Sequence, residues 1–168
     1  MKKTNITSNF IISIVLVLIA VLFMGYVGDY FFDLNDDVLM KDLLSGAYSG
    51  APEAHNIQML YPISAIISLF YRAVRSIDWY GIFLCVCQYL CVFVISCKAL
   101  KACRKLEHKI LSALFVLFFA LGVIGAHFLF VQYTFTCGFM SATAAFLILT
   151  HEKDLDKNFE MAFAFILD

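Results

Sequence analysis

Between Ile110 and Thr150 the chain runs for 41 residues without one Asp, Glu, Lys or Arg. A helical crossing of the hydrocarbon core takes about 20 apolar residues, so this stretch has the length of two crossings joined by a tight turn. No soluble core of this size absorbs such a run. Of the 168 residues, 62% are apolar and 15% are charged, against roughly 45–50% and 25% in soluble domains. Backbone in lipid must satisfy its own hydrogen bonds, which leaves helices and closed barrels, and long unbroken apolar runs are helical in length. The expected fold class is all-α, a polytopic membrane helix bundle.

Three more apolar runs precede this stretch. Phe10–Gly28 and Trp79–Cys97 are each 19 residues without a formal charge, and Ala54–Tyr71 carries only His55. The first run lacks a good small-x-small cleavage site in Gly25–Tyr26–Val27–Gly28, so it reads as a retained anchor and not as a signal peptide. The charges decide which runs cross. Lys98, Lys101, Arg104, Lys105 and Lys109 face only Glu107, and such basic loops stay cytoplasmic. Lys2 and Lys3 place the N-terminus on the same side. An even number of crossings must then separate residue 10 from residue 98, so one of the three intervening runs does not cross.

The weakest is Ala54–Tyr71. Pro62 suits the first turn of a helix. From there to Ser76 is 15 residues, about 22 Å of helix against a core of about 30 Å. Ser64, Ser68, Arg72 and Arg75 recur as one polar stripe among Ile63, Ile66, Ile67, Leu69, Phe70 and Val74, the pattern of a helix lying in the interface or against other spans. The expected layout has about four complete spans, at 10–27, 79–97, 110–130 and 135–150. An outer loop over 28–78 carries juxtamembrane helices near 36–45 and 62–76. Residues 158–168 read as a partial fifth span, which 11 residues cannot complete, so the chain is expected to be the front part of a longer protein.

The net charge of -1 excludes a generally basic nucleic-acid binder. The cysteines at 85, 87, 91, 97, 103 and 137 show neither four convergent ligands nor turn residues between them, so they read as small apolar side chains in or beside embedded helices. Gln88 is expected to bond between helices. His127 is either a functional intramembrane ionisable group or a side chain that reaches water at the outer end of its span.

The outer loop is acidic, with Asp29, Asp33, Asp36, Asp37, Asp42, Glu53 and Asp78 against Lys41, Arg72 and Arg75. Asn35–Asp36–Asp37 precedes a short amphipathic pattern ended by Gly46. In the plain reading Asn35 caps that helix and the carboxylates complement its dipole. In the sharper one the two carboxylates sit at the outer membrane surface, where one takes a proton from an acceptor hydroxyl or both ligate a divalent cation. Arg72 and Arg75 either meet a lipid phosphate or snorkel from a surface helix.

The order of features resembles the N-terminal region of GT-C type membrane glycosyltransferases, which use polyprenyl-phosphate-linked sugars. The matching pieces are the first span, Phe32–Asp33–Leu34–Asn35–Asp36–Asp37, the turn Ser45–Gly46–Ala47–Tyr48–Ser49–Gly50, Leu60–Tyr61–Pro62 opening a helix, and Asp78–Trp79–Tyr80–Gly81 entering the next span. The likeness covers roughly residues 10–150 and is one of layout plus an acidic pair. It implies an outer-face sugar transfer from a polyprenyl phosphate carrier, with Asp36 or Asp37 as base or metal ligand. Asp36 stands ahead of Asp37, which sits deeper in the helix turn. Apart from the resemblance, lysines in short inner loops and a compact outer loop suit a bacterial inner membrane. The chain departs from the family in having about half the spans or fewer, so the later spans, or a partner subunit, would have to complete the pocket. Alone, the chain is expected to have little or no transferase activity, because transition-state stabilisation needs preorganised groups on several sides. The alternative is a non-catalytic multi-span protein, a structural subunit or remnant in surface-polysaccharide assembly.

Overall fold

The computed structural model describes residues 2–103 and 105–150, with side chains described from Thr7 on. The expected partial span at 158–168 lies outside the described residues. Helix α1 covers Lys2–Val27, β1 Phe31–Phe32, α2 Asn35–Ser45, α3 Tyr61–Ala73, α4 Trp79–Ala102 and α5 Leu106–Phe118. A π-helical turn, Phe119–Val123, extends α5, and α6 (Ala126–Leu129), β2 (Phe130–Val131) and α7 (Tyr133–Leu149) follow among the described residues. The result is an all-α bundle apart from one two-residue bridge. Among the described residues, three helices are long and apolar enough to cross a membrane, Thr7–Val27, Trp79–Ala102 and Leu106–Val123, and Tyr133–Leu149 is a shorter apolar one.

Helix α4 is the axis of the bundle, packed by α1, α5 and α7. Side-chain bonds fix the directions of these helices. Ser96 near the end of α4 donates to Ser13 near the start of α1 at 3.0 Å. Lys109 at the start of α5 donates to Asn9 at 2.6 Å. The first half of α1, the end of α4 and the start of α5 therefore share one end of the bundle. At the other end the chain segments that follow α1 and α6 lie side by side, Phe31 paired with Phe130 and Phe32 with Val131 in a parallel bridge. Asp33 N–H extends the bridge to Val131 O at 3.1 Å.

Several elements differ from the sequence expectation. The span expected at 110–130 starts at Leu106 and loses its α-helical path in the π turn. Gly125, buried against Met24 of α1, marks the break, and inserted π turns are a recognised cause of such kinks. Helix α4 runs five residues past Cys97, so Lys98 and Lys101 ride on its last turns. Helix α3 stops at Ala73 where Val74 becomes extended, so Arg75 is not on the helix. Its 13 residues span about 20 Å. Asn35 does not cap α2: it is the first helical residue, and Leu34 stands at the cap without a side-chain bond. Gly46 does end α2, at φ 77°, a left-handed conformation suited to glycine.

Of the polar stripe of α3, the serines are turned inward and Arg72 is exposed. Ser64, Ser68 and Tyr71 are buried with Ile67, while Ile66, Leu69 and Phe70 are exposed. A helix that hides its serines and shows its isoleucine and leucine suits an apolar surrounding. Phe70 stacks on Trp79 with ring centroids 5.1 Å apart, which joins this outward face to the exposed Ile82 and Val86 of α4.

The two ends of the bundle yield a labelling test. With the six native cysteines replaced, Tyr48→Cys and Lys101→Cys should react from opposite sides with a membrane-impermeant maleimide. Labelling of both from one side of intact cells would break the crossing assigned to α4.

Candidate functional site

The polar groups of the segment between α1 and α4 converge on the first turns of α4 and α7. Asp37 lies in the first turn of α2 and is almost fully buried, at 2% exposure. The Tyr80 hydroxyl donates to its Oδ1 at 2.8 Å. The backbone N–H of Tyr133 donates to the same oxygen at 2.9 Å. Tyr133 opens α7, and a helix N-terminus leaves its first N–H groups without helical partners and carries partial positive charge. Asp37 therefore caps α7 from another helix while complementing the dipole of its own. Burial pushes its carboxyl above the usual carboxylate range. The two donated bonds oppose that shift, and the Asp36 and Asp33 charges add to it.

A second carboxylate does the same for α4. Asp78 stands at the α4 cap and accepts from Gly81 N–H at 3.1 Å. Tyr71 from α3 donates to Asp78 Oδ1 at 2.7 Å and Tyr30 donates to Oδ2 at 3.0 Å. The Tyr71 oxygen in turn accepts the Tyr80 N–H at 3.1 Å. Burial and the adjoining Asp78 charge push the Tyr71 and Tyr30 phenols up, which keeps both as donors. A Cβ on Gly81 would stand 2.7 Å from Tyr30 Cε2, so the missing side chain is what lets the Tyr30 ring lie across α4.

The sequence candidates are thus split. Asp36 is exposed, and Gln58 Nε2 donates to it at 3.5 Å. Adjacent helix positions point about 100° apart, and here one carboxylate faces the core and the other the surface. Among the described residues, no three His, Cys, Asp or Glu side chains group as metal ligands. Arg72 is exposed and donates to Pro52 O at 3.2 Å, tying the loop to α3, and Arg75 is exposed beyond the helix end. Glu53 collects His55 and Ala54 backbone N–H groups and the His55 ring within the same loop, bonds that hold its carboxyl below the usual range. His127 stacks on Phe135, centroids 3.7 Å apart. Gln88 bonds Thr136 of α7 at 2.8 Å, the interhelical contact expected of it.

A cavity of about 390 Å³ lies at the other end of the bundle, between α4, α5 and α7. Among its lining residues are Ile95, Ala99, Phe115, Phe119, Ala142 and Phe146, and none of the residues that line it is ionisable. Fifteen residues of α4 separate Ile95 from Tyr80, about 22 Å along the helix.

The tyrosines at 30, 71, 80 and 133 and the capping role of Asp78 were not singled out by sequence reading. A signal for Asp78 exists, since an Asp directly before an apolar helical run is a start signal. Tyr80→Phe should lower the stability of the detergent-solubilised protein by about 1.5–3 kcal/mol, the range for a hydrogen bond to a charged group, measured by thermal or denaturant unfolding. For Asp37→Asn the acceptor oxygen is kept and the charge removed. A folded-state pKa raised above the unfolded value means native stability is full below the ordinary carboxylate range and falls as pH rises through the raised pKa. The Asn variant should lack that fall, so its stability relative to the native chain should increase with pH over that window.

Compared with protein-family models, curated proteins and solved structures, the chain matches none of them; it is an all-α protein with several candidate membrane-spanning helices.

Proposed function

We propose that this chain is a non-catalytic multi-span membrane protein, a structural subunit whose outer end is a fixed platform of α2 and α3 on the first turns of α4 and α7. The observation that carries this reading is the commitment of Asp37 to internal donors, the Tyr80 hydroxyl and the Tyr133 N–H. A base needs a free lone pair aimed at an acceptor's proton within hydrogen-bond reach. Asp37 uses its Oδ1 atom to hold two helices together, and at 2% exposure its carboxyl is withdrawn from an acceptor at the surface. Asp78 is spent likewise on Tyr30, Tyr71 and Gly81. The apolar outer face of α3 rests in the outer leaflet in this reading, with Arg72 and Arg75 at lipid-phosphate level. Surface-polysaccharide assembly is the setting proposed for such a subunit, and the lysines at the chain start and in the α4–α5 connection support a bacterial inner membrane with the N-terminus cytoplasmic.

A second reading rests on Asp36, which is exposed beside Gln58. In it Asp36 is the base of a polyprenyl-phosphate-dependent glycosyltransferase. Further spans or a partner subunit complete the cavity, and any divalent cation draws its remaining ligands from them.

Complementation separates the two. In cells lacking the native protein, Asp36→Asn should restore wild-type surface glycan at wild-type protein level. Tyr80→Phe, which removes no carboxylate, should reduce protein level and glycan together. Full-level Asp36→Asn protein with glycan transfer abolished would replace the structural reading with the enzymatic one.

A further inference from the structure

Helices α5 and α7 both pack on α4 and scarcely on each other, so the groove between them opens sideways. Phe115 and Ala142 stand exposed at its rim, while Val116, Phe139 and Thr143 are buried. The Thr143 hydroxyl donates to Phe139 O at 2.8 Å, so the side chains that line the groove offer an occupant hydrocarbon surface. An apolar cavity of about 150 Å³ takes one benzene ring. At about 390 Å³ this groove takes on the order of fifteen carbons at the same packing, the size of one acyl chain.

Burial alone selects no particular lipid, because bilayer tails are as apolar as the groove. Selection comes from the charged end of the bundle. His108, Ser112, Phe115 and Phe119 recur at spacings of four, three and four, which puts them on one face of α5. Lys105 directly precedes the helix at the same end. This face is therefore basic and polar where α5 starts and aromatic further in, the order of groups along a phospholipid. Lys105 and His108 are both exposed. Ten positions separate Lys105 from Phe115, a rise of about 15 Å, or half of a roughly 30 Å hydrocarbon core. A head group at Lys105 and His108 thus lies one leaflet's depth from Phe115, and its chain passes Ser112 on the way. Lys98 and Lys101 add positive charge from the last turns of α4. The carboxylate of this segment, Glu107, is turned about 100° away from His108 around α5. Basic pockets between helices at a membrane surface recognise anionic head groups.

We propose that the α4–α5–α7 groove is a binding site for an anionic phospholipid, with one acyl chain in the groove and the head-group phosphate at Lys105 and His108. This goes beyond the structural-subunit reading and does not depend on it. The test places the full chain in phosphatidylcholine vesicles carrying a trace of one of two probes, phosphatidylglycerol or phosphatidylcholine, each with a photoactivatable diazirine in one acyl chain. Adducts are mapped by digestion and mass spectrometry. The phosphatidylglycerol probe should mark Phe115, Ala142 or Phe146 about five-fold more than the phosphatidylcholine probe, the effect of one cation on an anionic lipid. The exposed Leu18 and Leu22 of α1 should be marked equally by both. Lys105→Gln together with His108→Leu should lower the ratio in the groove to that on α1 and leave the α1 adducts unchanged. Lys105→Arg, which keeps the charge, should keep the preference. Equal marking of the groove by the two probes, a preference that survives the double substitution, or a groove without lipid adducts, as a protein segment or second copy covering it would leave, would each overturn the proposal.

Discussion

A carboxylate withdrawn from water is costly unless donors meet it, and the buried Asp37 and the half-buried Asp78 are both met at helix N-termini. Asp37 accepts the first N–H of α7 and the Tyr80 hydroxyl. Asp78 caps α4 and accepts two tyrosine hydroxyls. Each arrangement satisfies orphan backbone donors and sets a negative charge against the positive end of a helix dipole. Tyr80 links the two, since its N–H reaches Tyr71 on Asp78 and its hydroxyl reaches Asp37. The relative placement of α2, α3, α4 and α7 hangs on this short chain of bonds. Removing one member leaves buried partners unpaired, which is dearer than the bond itself.

The same network explains why α3 faces as it does. Tyr71 must reach Asp78, and Ser64, Ile67 and Ser68 share its face at spacings of three and four. That commitment turns Ile66, Leu69 and Phe70 outward. In water such a face would be a liability. Beside the apolar flank of α4, reached through the Phe70–Trp79 stack, it extends one continuous apolar surface. The parallel bridge between Phe31–Phe32 and Phe130–Val131 then ties the exit of α1 to the entry of α7.

The candidate site was legible in part. The adjacent carboxylates at 36 and 37 stood out because charges are scarce in this chain, and the helix they open was marked by Gly46. Which of the two turns inward was not legible, because it depends on the partners. Tyr80 lies 43 residues from Asp37 and Tyr133 lies 96, and no local pattern joins positions so far apart. The serine stripe of α3 was found by its period, but periodicity fixes which residues share a face and not what that face meets. Asn35 was misplaced by one turn position for a similar reason: its capping preference is local, while the start of α2 is set by the extended segment that pairs with β2.

The residues alone determined the helical class, the apolar runs and the short reach of α3, because the length and charge content of a segment decide whether lipid can solvate it and hydrogen bonding in lipid decides that it coils. Helix order along the chain followed from the same count. What only the tertiary structure decided is how polar groups are shared out: Asp37 to the core and Asp36 to the surface, Asp78 to a tyrosine pair, Arg72 to the Pro52 carbonyl. A polar side chain near the membrane surface can be satisfied by water, by backbone or by a distant residue at similar cost. Packing of the whole bundle selects among these, and the π turn and the groove beside α7 arise from that packing in the same way.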